Sequence, residues 1–191
     1  MLEPWIETHS GIKMYFLEPK EDMVNIKDIA HSLSLQCRFS GHTNRFYSVA
    51  EHCTRIASLL LERTKNPKIA LQGLLHDATE AYLLDVPSPV KQYLGGYYEI
   101  ENKLMSVILN KFGAGFPLNA LVKEADTVML KNEARALLPS KGVSWVDKYP
   151  TKYEFRGTPF CNNSKDAEFI YLSWFDLFQK EMYDQRSTVA A

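Results

Sequence analysis

Residues 48–87 read SVAEHCTRIASLLLERTKNPKIALQGLLHDATEAYLLDVP, and their pattern decides the fold. Ser48 with Glu51 three residues on has the form of a capping box and predicts a helix over 48–64. Val49, Cys53, Ile56 and Leu60 form its apolar stripe. His52 falls on that stripe, three residues after Val49 and four before Ile56, so it points inward. Asn66-Pro67 marks the next start, because Asn caps and Pro suits the first helical position. Residues 67–82 carry Ile69, Ala70, Leu71, Leu74 and Leu75, apolar nearly all round, as in a buried helix. His76 and Asp77 follow directly and stand in or beside the core. Glu80, four residues past His76 and three past Asp77, shares their helical face.

Outward from this stretch, residues 25–35 are helical, with Ile26, Ile29, Ala30 and Leu33 on one face. Residues 96–112 and 117–138 predict two further helices, parted by the segment Gly113–Pro117. In the second, Leu118, Leu121, Val122, Ala125, Val128 and Met129 make a broad apolar face with Asp126 at its edge. Residues 165–183 give a final aromatic-rich helix, and the last eight residues are expected to fray. Residues 5–18 read as a short strand or hairpin, 85–90 as a Pro-broken turn, and 139–162 as an irregular stretch with room for a short hairpin. Between the helices at 25–35 and 48–64 lies CRFSGHTNRFY, a donor-rich loop holding Arg38, His42 and Arg45, suited to gripping a phosphate. Five or more helical segments with little strand argue for an all-α bundle with a small N-terminal hairpin. The chain reads as one domain over 1–191, with its core at about 25–183.

The 191 residues are 46% hydrophobic and 24% charged, which excludes a disordered chain. The formal net charge of −1 gives no reason to expect a nucleic-acid polymer as partner. Cys37, Cys53 and Cys161 form no CxxC pair, and an odd, scattered set suits a reducing cytosol. No signal peptide is visible, and no apolar run approaches the roughly 20 residues of a membrane span. The expected compartment is the cytoplasm.

His52, His76, Asp77 and Asp126 supply two imidazoles and two carboxylates, a complete ligand set for one divalent ion. Any one of them alone is an ordinary core histidine or surface carboxylate. Together on buried helices they are costly without a cation, since two unpaired carboxylates repel. Mixed nitrogen and oxygen donors favour a first-row ion over Ca²⁺, with Co²⁺, Zn²⁺, Mn²⁺, Fe²⁺ and Ni²⁺ all admissible.

The pattern H…HD…D, carried by SVAEHC, LLHDATEAYLLDVPSPVK and EADTVML, resembles the HD-domain metal-dependent phosphohydrolases. CRFSGHTNRFYSVAEHC followed by LLHDATEAYLLDVP is similar to the branch containing bacterial 5′-deoxynucleotidases and phage dATP triphosphohydrolases. That resemblance implies an HD-domain helical bundle and His52, His76, Asp77 and Asp126 as metal ligands. It implies Glu80 as the residue that activates water and Arg38 as the phosphate-binding arginine. Phe39 stands where the branch has an aromatic residue, often tryptophan, that packs on the sugar or base. Asp85 matches the residue on the sugar 3′-hydroxyl, and Lys91 a lysine used on the phosphates of triphosphate-cleaving members. His42 and Arg45 have no counterpart and are candidates either for phosphate contact or for holding their loop.

The activity so implied is hydrolysis of a deoxynucleotide, dATP or dAMP foremost, to a deoxynucleoside plus phosphate or triphosphate, with a further Mg²⁺ where the substrate is a triphosphate. A broad dNMP 5′-deoxynucleotidase is the alternative, and a non-catalytic nucleotide sensor the alternative of another class. A diiron oxygenase would need more metal-binding histidines than His9, His31 and His42 provide. The implied partner is a small-molecule deoxynucleotide. The resemblance also implies homo-oligomers, for which the helix at 96–112 and the aromatic residues Phe169, Tyr171, Trp174, Phe175 and Phe178 are candidate contacts, most of the latter being expected in the core.

Overall fold

The caps do as much as the periodicity to set the helices. In the computed structural model, which describes residues 3–189, Asn25 caps α1 (Ile26–Leu35) by accepting from Lys27 N–H. Ser48 caps α2 (Val49–Thr64), and Asn66 caps α3 (Pro67–Leu75) with Pro67 in the first turn. Two single turns, α4 (Glu80–Leu83) and α5 (Ser88–Lys91), lead to α6 (Tyr97–Lys111). Helix α7 (Ala120–Leu137) is capped by Asn119, and α8 (Ser164–Val189) closes the bundle. Ahead of them, β1 (Ile6–Glu7) and β2 (Lys13–Met14) pair antiparallel, with Ile6 opposite Met14. The fold is all-α with a small N-terminal hairpin. Among the described residues, no helix is long and apolar enough to cross a membrane.

Helix α2 is the centre. It packs against α3, α7 and α8, and α8 also covers α1 and α3. The expected stripe of Val49, Cys53, Ile56 and Leu60 is buried, as are Leu71, Leu74 and Leu75 of α3. Burying each such side chain contributes about 1.5–3 kcal/mol. The approach of α3 to α2 is closest at Gly73, where an added Cβ would lie 2.5 Å from Leu60 Cδ1 and 3.1 Å from Ile56 Cγ2. Gln72, beside it, reaches the next connection: its amide donates to Ala114 and Gly115 carbonyls, and its oxygen accepts from Asn119 N–H. This buried glutamine fixes where α7 begins, and so the height at which Asp126 stands.

Several expectations need correction. The helix expected over 67–82 is broken: α3 stops at Leu75, residues 76–79 form tight turns, and α4 resumes at Glu80. The cause is local competition. The His76 ring donates from Nδ1 to Gly73 O at 2.8 Å, the carbonyl that Asp77 N–H would use in a regular helix. The backbone tightens to i→i+3 bonds such as Ala78 N–H to Leu75 O. Residues 85–90 are not simply a turn, because Ser88–Lys91 makes one helical turn. The last helix reaches Val189, so fraying over the last eight residues is not seen up to there, and residues 190 and 191 lie outside the described ones.

The stretch 139–162 contains no hairpin, only a 3₁₀ turn at Val146–Lys148. Its backbone is satisfied by side chains instead. The Glu51 carboxylate accepts from the N–H groups of Phe160, Cys161 and Asn162 at 2.8, 3.1 and 2.8 Å. Only half of the capping box therefore forms: Ser48 Oγ accepts from Glu51 N–H, while the glutamate turns away to three donors. On α8, Tyr171, Phe175 and Phe178 lie in the core, Trp174 is half-buried and Phe169 is exposed.

Candidate metal centre

Three separate elements deliver the expected ligands to one place. His52 comes from α2, His76 and Asp77 from the tight turn after α3, and Asp126 from α7. His52 Nε2 lies 3.6 Å from Asp77 Oδ2 and 3.4 Å from Asp126 Oδ1. His76 Nε2 lies 3.1 Å from the same Asp77 oxygen. Ligand atoms of His52, His76 and Asp126 all fall within 4.8 Å of one another. The imidazole rings are 5.2 Å apart, centre to centre.

The orientation of both rings is set from behind. His76 Nδ1 faces Gly73 O at 2.8 Å, and His52 Nδ1 faces Glu133 Oε1 at 2.8 Å. Each Nδ1 therefore carries a proton, which leaves each Nε2, on the side of Asp77 and Asp126, as the ring nitrogen that can take a metal ion. Those two Nε2 atoms are buried without a hydrogen-bond partner. Unpaired lone pairs facing carboxylates are repulsive unless positive charge stands between them. The donors fit a divalent ion, and these buried groups can hold one.

The electrostatics agree. Burial would push His76 down, but the charges and hydrogen bonds of Asp77 and Cys53 together outweigh it and hold the imidazole well above its ordinary value, so a positive charge belongs at this ring. Burial would raise Asp77 and Asp126, yet the two imidazoles hold both carboxyls far below the usual range. The pocket is built to hold positive charge. Cys53 also approaches His76 and Asp77. Burial pushes its thiol up to about 11, and a neutral thiol is a poor ligand beside two carboxylates.

Asp77 and Asp126 line a cleft of about 640 Å³, while neither histidine is among its lining residues. Arg38, Phe39, Glu80, Asp85 and Lys91, all expected at the site, line it. Arg38 donates from Nε to Glu133 Oε2 at 3.1 Å and places Nη1 3.6 Å from Asp77. Burial works against its charge, but Glu133, Asp77, Asp126 and Asp85 keep the guanidinium protonated. Phe39 and Ser40 sit in the left-handed region at φ 54° and 52°. Strain of this kind costs on the order of 1–3 kcal/mol per residue and clusters at functional sites. Here it turns the chain so that Arg38 and Phe39 both face the cleft.

Glu80 is 5% exposed, and its Oε2 is buried without a partner. Burial, then the charges of Asp77 and Asp85, hold its carboxyl well above the ordinary value. Lys91 Nζ lies 3.4 Å from Glu80 and 2.7 Å from Glu101. Gln36 holds this edge in place, donating to Glu80 O and accepting from Asp85 N–H. Asp85 is raised as well, chiefly by burial.

His42 and Arg45, expected either at the phosphates or in holding their loop, are both exposed, and neither lines the cleft. The left-handed pair at Phe39–Ser40 sends the rest of the loop outward, where Thr43 bonds to Arg45 O and Asn44 N–H to Leu137 O. Other residues of the site were missed. Glu133 lies seven residues, two turns, after Asp126 and so on the same face of α7. Lys123, paired with Asp126 at 3.1 Å, and Trp145 and Tyr149 of the irregular stretch also line the cleft. The spacing of Lys123 and Glu133 from Asp126 was readable; nothing local marked Trp145 or Tyr149.

No family model matches the chain. It is similar to YfdR, an uncharacterized protein of Escherichia coli (strain K12), with 40% identity over 141 residues covering 74% of this chain and 76% of that one. It is also similar to an uncharacterized protein of Rhodobacter capsulatus, with 35% identity over 148 residues covering 72% of this chain and 74% of that one.

Proposed function

The chain belongs to the family of the Escherichia coli protein YfdR, and we propose that it hydrolyses deoxynucleotides at a single divalent metal centre, as an HD-domain phosphohydrolase. The observation that carries this reading is the pair of buried, unpartnered Nε2 atoms of His52 and His76, facing Asp77 and Asp126 beneath an open cleft.

The chemistry supplied by a first-row ion held at His52, His76, Asp77 and Asp126 is Lewis acidity towards a phosphoryl oxygen and towards water. Arg38 is fixed by Glu133 at the side of the cleft, where it neutralises charge that grows on the phosphoryl oxygens. Glu80 takes the proton of the attacking water. Its raised pKa suits it to hold that proton and pass it to the departing 5′-oxygen. The water oxygen bonds to phosphorus, the bond from phosphorus to the 5′-oxygen breaks, and the deoxynucleoside leaves.

Phe39, Trp145 and Tyr149 give the cleft an aromatic side for the sugar and base. Asp85 is the acceptor for a sugar hydroxyl. Lys91 and Lys123 add two cations beyond Arg38, which favours a triphosphate such as dATP over a dNMP, with Mg²⁺ accompanying the outer phosphates.

The test is product analysis. Protein stripped with chelator and reloaded with Co²⁺, Mn²⁺, Zn²⁺ or Mg²⁺ is offered dNMPs, dNDPs and dNTPs. Deoxynucleoside with phosphate or triphosphate is expected, lost on chelation and restored by metal. Tight nucleotide binding with no product over hours would replace the enzyme by a sensor, and intact activity in chelator would overturn the metal-dependent reaction.

A further inference from the structure

Behind the centre lies a carboxylate that touches neither the cleft nor solvent. Glu133 is 0% exposed, and its two oxygens divide their partners. Oε1 accepts from Tyr47 OH at 2.7 Å and faces His52 Nδ1 at 2.8 Å, with Arg55 Nη1 3.7 Å away. Oε2 accepts from Arg38 Nε at 3.1 Å. A buried carboxylate is retained only with such partners, and here every lone-pair direction in use is committed. Of these partners Arg38 lines the cleft, and His52 turns its other ring nitrogen towards Asp77 and Asp126, which line it too.

We propose that Glu133 is a positioning residue that couples the metal centre to the anion-binding arginine, fixing the His52 tautomer with one oxygen and the plane of Arg38 with the other. The inference rests on the metal-centre reading above and assigns a role to a residue outside the four ligands. The two functions cannot be separated at this residue. A glutamine in its place has one oxygen and one amide nitrogen. With the oxygen towards His52 and Tyr47, the amide presents hydrogens to the Arg38 N–H. Turned over, it meets the hydrogens of His52 and Tyr47. Either way one arm fails, while size and shape are kept.

Tyr47 and Arg55 hold the strut from its far side. Arg55 donates to Tyr47 OH at 3.2 Å, to Asn132 Oδ1 at 2.8 Å and to Gly157 O at 3.0 Å. The strut is thereby fixed to α2, α7 and the segment near Gly157, so it cannot follow a ring that moves.

The experiment is Zn²⁺ affinity by competition with a chromophoric chelator, and inorganic-phosphate affinity by calorimetry, for wild type, Glu133→Gln and Glu133→Asp. Glu133→Gln is expected to weaken Zn²⁺ by about 10–100-fold and phosphate by about five-fold, the scale of one ordinary net hydrogen bond. Glu133→Asp keeps the charge and is expected to recover part of both. Nitrogen-15 shifts of Zn²⁺-loaded wild type should place the His52 proton on Nδ1, which tests the proposal even if the glutamine variant does not fold. A folded Glu133→Gln that binds Zn²⁺ within two-fold of wild type, or zinc found on His52 Nδ1, overturns the role of Glu133 alone. Wild-type protein that binds no Zn²⁺ overturns the metal-centre reading itself.

Discussion

The Lys91 ammonium stands 3.4 Å from the Glu80 carboxylate at the side of the cleft. Burial raises the Glu80 carboxyl, the charges of Asp77 and Asp85 raise it further, and Lys91 draws it down. Glu80 must be ionised to accept a proton, so the rate falls as pH drops through its folded-state value. The acid limb of kcat/KM should therefore report the ionisation of Glu80. Lys91→Met removes a group that lowers the Glu80 pKa, and the limb should move to higher pH. Rate profiles of the two proteins from pH 4 to 9 check this; a limb that moves the other way contradicts the assignment.

Glu80 contributes no ligand in this arrangement, so binding and turnover should separate on its replacement. Glu80→Gln keeps size and polarity but cannot take the proton. Turnover is expected to fall by about 10²–10⁴-fold, while Zn²⁺ affinity stays within a few-fold of wild type. Single-turnover rates beside chelator competition give both numbers. A large loss of Zn²⁺ affinity would make Glu80 a ligand rather than a base.

How much of this was legible in the sequence depends on the range over which each feature is encoded. The helices α1, α2 and α7 follow from nearby caps and spacing, α6 from spacing alone, and their ends agree with the expected ones to within about three residues. The interruption of an apolar stripe by His52 was local too. The break at residues 76–79 was not, because periodicity does not register a histidine ring competing for Gly73 O. The segment 139–162 was opaque because its partners are remote: Glu51 binds Phe160–Asn162, and Glu124 accepts from Lys152 N–H. The outward course of His42 and Arg45 depends on left-handed backbone at Phe39 and Ser40, residue types that do not announce it.

Binding a cation only in the folded state should stabilise the fold. Free Zn²⁺ at 100 times its dissociation constant adds about 2.7 kcal/mol, or roughly 5–10 °C in Tm for a chain of this size. Asp126→Asn removes a ligand charge while leaving the α7 packing in place, and most of that shift should disappear. Thermal melts with chelator and with Zn²⁺ test both statements. Equal shifts in the two proteins would locate the stabilising ion elsewhere.

Gly73 sets the separation of α2, which carries His52, from α3, which leads into the turn that carries His76. An added Cβ meets Leu60 Cδ1 at 2.5 Å and Ile56 Cγ2 at 3.1 Å, with Ala57 Cα next at 3.5 Å. The first contact is the end of a flexible side chain, so Gly73→Ala can be absorbed by a turn of Leu60. It also gains about 0.8–1 kcal/mol of helix propensity, which should leave the change close to neutral. Gly73→Val adds two methyl groups against the α2 backbone, which cannot give. Overpacking of this kind costs about 1–3 kcal/mol, lowering the urea midpoint with an unchanged slope. Because the strain is relieved by parting α2 from α3, Zn²⁺ affinity should fall in Gly73→Val and hold in Gly73→Ala. A valine variant as stable and as zinc-competent as wild type would mean that this contact does not position the two imidazoles.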